Sequence, residues 1–371
     1  MSAKPSIRIN DSIQRLISQH GYSKWGIIAR LAKLVAGPRR LMPDEAIMFG
    51  LLDDDSVDAA TFQGNLTNAR LNARLCDPGW RFVLEDKVLS ATVLQAHGLP
   101  ITKTVAISGS PRRYPGAKPL TTKDELNGYL QNLEAPVFAK PIYGLQSRGT
   151  GLIERRGDSL FLNGETDVES AALAAAIFAQ EGGYMVQECL IQHQALRAAV
   201  GNGVSTIRYM LIYDEGRVSP QRAVWKICDG GNKADNFWRE NNLLGLLDMA
   251  TGQVERAITQ TENGVEEVSH HSDTGCELAG FELPFWPQIT QLAAAAAPLF
   301  PGIRVQSYDI AITGTGPVIV EVNDLGDFKI LQLGQKSGIW NAHMAKLVSK
   351  KPGKAQRQYS IKELTEQLNK N

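Results

Sequence analysis

Two apolar runs near the C-terminal end, 305–312 and 317–322, constrain the fold of this 371-residue chain more than any other stretch. Both have the composition of strands, and the Gly314-Thr315-Gly316 turn between them signals a hairpin. Each run nevertheless carries an acid, Asp309 in the first and Glu321 in the second. Side chains alternate along a strand, so Glu321 and Asn323 share one face, and a hairpin can set Asp309 opposite Glu321. A carboxylate embedded in an apolar strand is costly unless a partner meets it. Two carboxylates and an amide oxygen on adjacent strands suit Mg²⁺, a hard cation that shares oxygen ligands with nucleotide phosphates. An edge hairpin with solvated acids is the alternative.

The rest of the chain has to supply a framework for that hairpin. Residues 7–36 repeat apolar side chains at three- and four-residue steps, a helical pattern that Gly37-Pro38 ends. Further helices are expected after Pro43-Asp44-Glu45 and over about 65–75, making residues 1–84 a mainly helical lobe. The acidic run Asp53-Asp54-Asp55 fits a solvated turn better than a metal site. At Asp86 the texture changes. Asp86 can cap a helix that ends at His97-Gly98. Strands and helices then alternate: strand from Thr104, helix 122–132, strands 136–140, 151–154 and 159–162, helix 167–180, strand 184–188. Strands dominate afterwards, at 205–213, 217–226 and 253–258, with a helix over 286–299 before the final hairpin. This is an α+β chain of mixed sheets, not a regular βαβ series.

A second chemical signal is the strand Val137-Phe138-Ala139-Lys140-Pro141, followed by Gly144, Gln146, Ser147, Gly149 and Gly151. Glycines let backbone N–H groups converge on phosphate oxygens, and a lysine adds positive charge. The pattern is neither of the standard phosphate-loop or dinucleotide motifs, and a plain hairpin turn is the alternative. Between the two signals, Tyr184–Ile191 reads as a strand running into a linker, able to offer backbone groups to a base edge. His270-His271 reads as loop, since adjacent strand residues face opposite ways. Trp225-Lys226 and Asp235–Arg239 fit an acceptor pocket or a loop packing its aromatics on the sheet.

Composition removes several function classes. Lys plus Arg and Asp plus Glu are both 39, a balance that argues against nucleic acid as the main partner. The four cysteines, 76, 189, 228 and 276, lie far apart with no metal-like spacing, as expected of reduced thiols. No stretch is long and apolar enough for a membrane span or a secretory signal, so the cytoplasm is the expected compartment.

Taken in order, Lys87 near a helix start, the Lys140-Pro141 strand with its glycine loop, the Gln187-Glu188 strand end and Asp309…Glu321-x-Asn323 resemble the ATP-grasp enzymes over about 85–335. Ser205-Thr206-Ile207-Arg208 with Ala234-Asp235-Asn236-Phe237 resembles the sugar-transfer-associated group, which is itself similar to the α-L-glutamate ligase-like proteins. The chain departs from the usual loop pattern at Gln146-Ser147-Arg148. The resemblance implies the ATP-grasp fold, two α+β subdomains gripping ATP, with boundaries at 1–84 (helical lobe), 85–190 (glycine loop), 191–344 (metal site) and 345–371 (polar tail). It implies that Lys87, Lys140 and the loop contact ATP, with Glu188, Cys189 and Leu190 at the adenine and His193 near the ribose. Asp309, Glu321 and Asn323 would hold Mg²⁺, Arg208 would stabilise the transferring phosphoryl group or the acyl phosphate, and Lys226 is the other catalytic candidate. The implied activity is a carboxylate–amine ligase working through an acyl phosphate on small or carrier-linked substrates, with a sugar- or amino-acid-containing acceptor and a homodimer as the assembly such proteins often form. A small-molecule kinase and a non-catalytic ATP-binding protein beside glycan assembly are the alternatives.

Overall fold

The computed structural model describes residues 7–144, 149–164, 166–229, 231–232, 234–324 and 326–350. The helices are α1 (Ile9–His20), α2 (Lys24–Ala36), α3 (Pro43–Met48), α4 (Asn68–Leu75), α5 (Pro78–Glu85), α6 (Lys87–Ala96), α7 (Lys123–Gln131), α8 (Ser170–Phe178), α9 (Gln194–Val200), α10 (Trp286–Ala296), α11 (Phe328–Gln332) and α12 (Ala342–Ser349). The first seven strands are β1 (Thr104–Ser108), β2 (Lys118–Leu120), β3 (Val137–Pro141), β4 (Gly151–Arg156), β5 (Ser159–Leu162), β6 (Thr166–Val168) and β7 (Tyr184–Glu188). The second seven are β8 (Thr206–Asp214), β9 (Arg217–Ile227), β10 (Leu243–Leu247), β11 (Val254–Thr261), β12 (Gly264–Val268), β13 (Val305–Thr313) and β14 (Gly316–Asp324).

Each set of seven strands forms its own sheet. The first runs β2-β1-β7-β3-β4-β5-β6, antiparallel except for the parallel β1–β2 pair. The second runs β12-β11-β10-β9-β8-β13-β14 and is antiparallel throughout. Leu126 and Leu130 of α7 and Ala174 and Ile177 of α8 share a core with Ala106, Val137, Ala139 and Val186 of the first sheet. A separate cluster joins Val88 of α6 to Ile107, Ile142 and Met185.

The helical N-terminal region is not free-standing. Ile13, Leu16, Ile27, Leu31, Phe49 and Phe62 belong to the same buried cluster as Tyr209, Trp225 and Tyr308 of the second sheet. Polar contacts stitch the two together. The Gln63 amide donates to Gln332 Oε1 at 2.8 Å, Gln332 Nε2 donates back to the Gln63 carbonyl at 3.1 Å, and Trp340 Nε1 reaches Gln63 Oε1 at 2.7 Å.

Local chemistry explains most boundaries. The single pattern expected over 7–36 divides at Gly21, whose positive φ (67°) ends α1 with its amide on the Ile17 carbonyl; Ser23 then caps α2. Asp86 caps α6 as expected, accepting from the amides of Val88 and Leu89 at 3.1 Å each. Strand β10, Leu-Leu-Gly-Leu-Leu, is wholly buried and so shows no alternation by which to recognise it. Helix α12 buries Met344 and Leu347, so the polar tail begins no earlier than residue 350. The helix expected over 360–371 lies outside the described residues.

Candidate functional site

A cavity of about 400 Å³ lies between the two sheets. One end is apolar, lined by Pro136, Phe138, Leu152, Leu190 and Val204; the other carries Lys87, Lys140, Lys226, Asp309 and Glu321. This two-ended character follows from strand geometry, because Phe138 and Lys140 share a face of β3 by the two-residue period.

The charged end is built by register. Arg208 of β8 pairs with Asp309 of β13, which pairs with Glu321 of β14, so the three stand abreast on adjacent strands. Lys226 of β9 faces Thr206, two residues from Arg208, and so joins the same face. Arg208 grips Asp309 with both ends of its fork, Nε to Oδ1 at 2.5 Å and Nη2 to Oδ2 at 2.9 Å. Lys226 Nζ lies 3.2 Å from Asp309 Oδ2 and 3.4 Å from Asp235 Oδ2. Asp235 is held in turn by the backbone amide of Thr206 at 2.9 Å and by its hydroxyl.

Burial alone would raise the Asp309 pKa, but Arg208 and Lys226 hold it down at about 2. Burial works against the charge on Lys226, which Asp235 and Asp309 outweigh, so its pKa rises. Arg208 is likewise raised against burial by Asp309. Lys140 lacks such a close carboxylate. Burial lowers its pKa to about 8, with Glu321 opposing, and its Nζ donates to the Val320 carbonyl at 3.3 Å.

Lys87 is positioned by its neighbour. Asp86 is fully buried, caps α6 with one oxygen, and takes the Tyr143 hydroxyl (2.8 Å) and Arg112 on the other. Lys87 Nζ then donates to the Gly144 carbonyl at 2.8 Å and lies 3.4 Å from Glu321 Oε1. The first residue of the glycine loop is thereby tied to the acid of the opposite sheet. At the far end of the loop, Tyr184 donates to the Gly149 carbonyl at 3.1 Å. Gly149 has φ 74°, and a Cβ there would sit 3.0 Å from that hydroxyl and 3.1 Å from Pro141, so glycine is required. Gln146 and Ser147 lie outside the described residues.

Among the other expected residues, Gly144, Glu188, Cys189 and Leu190 line the cavity. The Glu188 carboxylate turns outward to Lys103, 2.5 Å away, so its side chain is half exposed. Beyond the end of β7, the backbones of Cys189 and Leu190 make no backbone hydrogen bond among the described residues, and burial pushes the Cys189 thiol up to about 11. Gly151 opens β4 under the Leu162 side chain, with Thr150 and Leu152 on the cavity wall.

His193 stands apart and corrects the expectation of a ribose contact. Its Nδ1 accepts from the Ala195 amide at 3.1 Å as the N-cap of α9, and its ring packs edge-on to Phe285. It does not line the cavity. His271, expected in a loop, is buried there with Nε2 donating to the Cys228 carbonyl at 2.8 Å.

The donor set was tested for fit to Mg²⁺. Asn323, two residues beyond Glu321, has a buried amide nitrogen with no partner among the described residues; that nitrogen is a donor, so only the amide oxygen could meet a cation. Glu321 has the single ion pair to Lys87 and no hydrogen bond among the described residues. The Glu321 carboxylate fits a hard cation, and Asn323 fits by the type of its amide oxygen. Asp309 also fits by type, although in this state its two oxygens serve Arg208 and Lys226. Asp235 is the participant least legible beforehand: it was grouped with neighbouring aromatics, and only the β8–β9 register shows that it braces Lys226.

No curated protein is similar enough to match the chain. Solved structures give distant likenesses. One is the D-alanyl-alanine synthetase A of Vibrio cholerae, at 12% identity and TM-score 0.42, over 74% of this chain and 66% of that one. Another is the VanG D-Ala:D-Ser ligase of Enterococcus faecalis, at 15% and 0.40, over 74% and 63%. A third is the D-alanine–D-alanine ligase of Bacillus anthracis, crystallised with ATP, at 12% and 0.35, over 66% and 56%. The chain thus spans less than two thirds of the length of these structures. The family model for sugar-transfer-associated ATP-grasp proteins matches residues 66–348, and the chain belongs to that family and its α+β, ATP-grasp fold.

Proposed function

We propose that the chain is an ATP- and Mg²⁺-dependent carboxylate–amine ligase. The observation that carries this reading is the two-ended cavity, whose apolar end suits a base and whose charged end gathers Lys87, Lys140, Lys226, Asp309 and Glu321, with Arg208 paired to Asp309 outside the lining. A nucleotide needs both ends, and a cavity of about 400 Å³ lies in the size range of ligand sites.

In this reading the adenine lies against Phe138, Leu152 and Val204, with the unpaired backbone of Cys189 and Leu190 at its edge and Glu188 nearby. Lys87 and Lys140 meet the phosphates. Gly144, Gly149 and Gly151 would offer backbone amides to them. Glu321 and Asn323, with Asp309 behind, would hold Mg²⁺, which neutralises phosphate charge and orients the γ-phosphoryl group. Arg208 is fixed by its two-pronged grip on Asp309, so its remaining donors face developing charge without a search through rotamers. Lys226 is braced in the same way by Asp235.

The chemistry balances as two displacements. A substrate carboxylate oxygen attacks the γ-phosphorus and ADP leaves, giving an acyl phosphate. An amine then attacks the acyl carbon, phosphate leaves with the electron pair of the broken C–O bond, and the amine gives up a proton. The substrate class is drawn no more finely than a carboxylate and an amine, small or carrier-linked.

The test is ADP and phosphate release with ATP and Mg²⁺ against pooled amino acids, amino sugars and carboxylic acids. Acceptor-dependent release, an amide product by mass spectrometry, and loss of both in Glu321→Gln with unchanged circular dichroism are expected. A phosphorylated hydroxyl with no amide, or undiminished turnover in Glu321→Gln, would overturn the proposal.

A further inference from the structure

Helix α2 is apolar outward as well as inward. Ile27 and Leu31 are buried, and Leu34 packs beside them. Going round the helix at 100° per residue, Val35, Ile28, Ala32, Trp25, Ala36 and Ala29 follow one another over an arc of about 120° on the other side. Trp25 is 78% exposed, the largest exposure among the big apolar side chains described, and Ile28 is 36% exposed. The two lysines of the helix stand at the edges of this arc, Lys24 on one side and Lys33 on the other, both exposed. Neither has a carboxylate partner among the described residues. The third polar side chain, Arg30, lies across the helix and pairs with Asp55 at 2.8 Å.

Charge along the chain repeats the asymmetry. From Ser12 to Pro43 there is no acid, while Arg15, Lys24, Arg30, Lys33, Arg39 and Arg40 are all cations, in a chain that balances 39 against 39 overall. Asp53 and Asp55 are paired with Arg15 and Arg30, away from the two lysines. A second apolar arc on a helix is ordinarily covered, and among the described residues Trp25, Ile28, Ala29, Ala32 and Ala36 of this one stay exposed.

We propose that the outer face of α2 docks on an anionic lipid surface. The Trp25–Ile28–Ala32 arc would sit at the boundary between headgroups and acyl chains. Lys24 and Lys33 would extend their stems sideways to lipid phosphates, the arrangement by which an interfacial helix lies flat. Charge complementarity points to this occupant: two lysines without carboxylate partners among the described residues flank the arc, in a stretch with no acid from Ser12 to Pro43.

The experiment is sedimentation of the full chain with vesicles of phosphatidylcholine alone or mixed with phosphatidylglycerol, with light scattering in parallel. Binding to the mixed vesicles, little to the neutral ones, and weakening as salt rises are expected. Lys24→Glu/Lys33→Glu should partition more than about tenfold less. Trp25→Ser/Ile28→Ser should lose binding while keeping the wild-type urea midpoint, since both side chains are exposed. Absence of binding to mixed vesicles at low salt, or equal binding by Trp25→Ser/Ile28→Ser, would overturn the proposal. So would a wild-type dimer that this variant dissociates, which would assign the face to a second copy.

Discussion

Replacing Asp309 with Asn tests the charge row at the centre of the cavity. The substitution keeps shape and removes the one charge that Arg208 and Lys226 share. The folded protein holds this carboxyl at about 2 against an ordinary 3.8, and each unit of depression corresponds to about 1.4 kcal/mol favouring the ionised form. The ionised carboxylate therefore contributes about 2 kcal/mol at pH 7. Because the folded pKa is the lower one, that contribution is complete above the unfolded value near 4 and disappears as pH falls through about 2. At pH 3 about half of it, roughly 1 kcal/mol, should remain. Arg208, buried and left without its paired carboxylate while Lys226 keeps Asp235, would push the loss at pH 7 higher, towards the roughly 3–5 kcal/mol seen when a buried pair loses one member. Urea unfolding of wild type and Asp309→Asn at pH 7 and pH 3 gives both differences. A variant as stable as wild type at pH 7, or a loss that does not shrink by pH 3, would refute the reasoning.

Lys140, held at about 8, should lose its charge across the mildly alkaline range, so a triphosphate should bind more weakly as pH rises from 7 to 9. Titration with ATP should give a Kd up to about tenfold weaker at pH 9, and Lys140→Met should be weak at both pH values with no such slope. Gly338→Ala should destabilise the chain by about 2 kcal/mol or more, read by urea unfolding, because a Cβ there would sit 2.2 Å from the Thr61 carbonyl oxygen and 2.4 Å from Phe62 Cα. That backbone contact fastens the helical region to residues 337–341, so the transition should remain single if the two share one core.

How much of this was legible in the sequence depended on whether a residue's role was set locally or by a distant strand. Asp86 as a cap, the helix it starts, the glycine-marked hairpin at 314–316 and the strands with clear alternation were readable because their causes lie within a few residues. Strand β10 was not, because a wholly buried strand has no period to detect, and α5 and α9 were missed beside stronger neighbouring signals. At the site, Asp309 and Glu321 were conspicuous as acids in apolar strands, and their pairing follows from the hairpin. His193 misled because its place after a strand end fits a ligand contact as well as it fits a helix cap, and the cap depends on α9, which carried no clear period. The Lys226–Asp235 brace required knowing that β9 lies beside β8.

The junction of the two sheets shows why some of the site lay beyond any local pattern. In the closing hairpin Asp309 pairs with Glu321, but the next residue, Ile310, pairs with Ile319. Val320 is therefore an extra residue on β14, a bulge that opposes no partner on β13. A bulged residue leaves part of its backbone outside the ladder, and the Val320 carbonyl accepts Lys140 Nζ from the other sheet at 3.3 Å. One residue away, Glu321 faces Lys87, also from the other half of the molecule. The irregularity thus sets both contacts at once: the pairing up to Glu321 keeps the acid abreast of Asp309, and the break after it turns a main-chain acceptor towards the lysine strand. A regular hairpin would commit that carbonyl to β13 and leave buried Lys140 without it. Since nothing in Pro317–Val322 distinguishes a bulged from a regular strand, the contact that joins the lysine strand to the acid strand could be found only from the folded backbone.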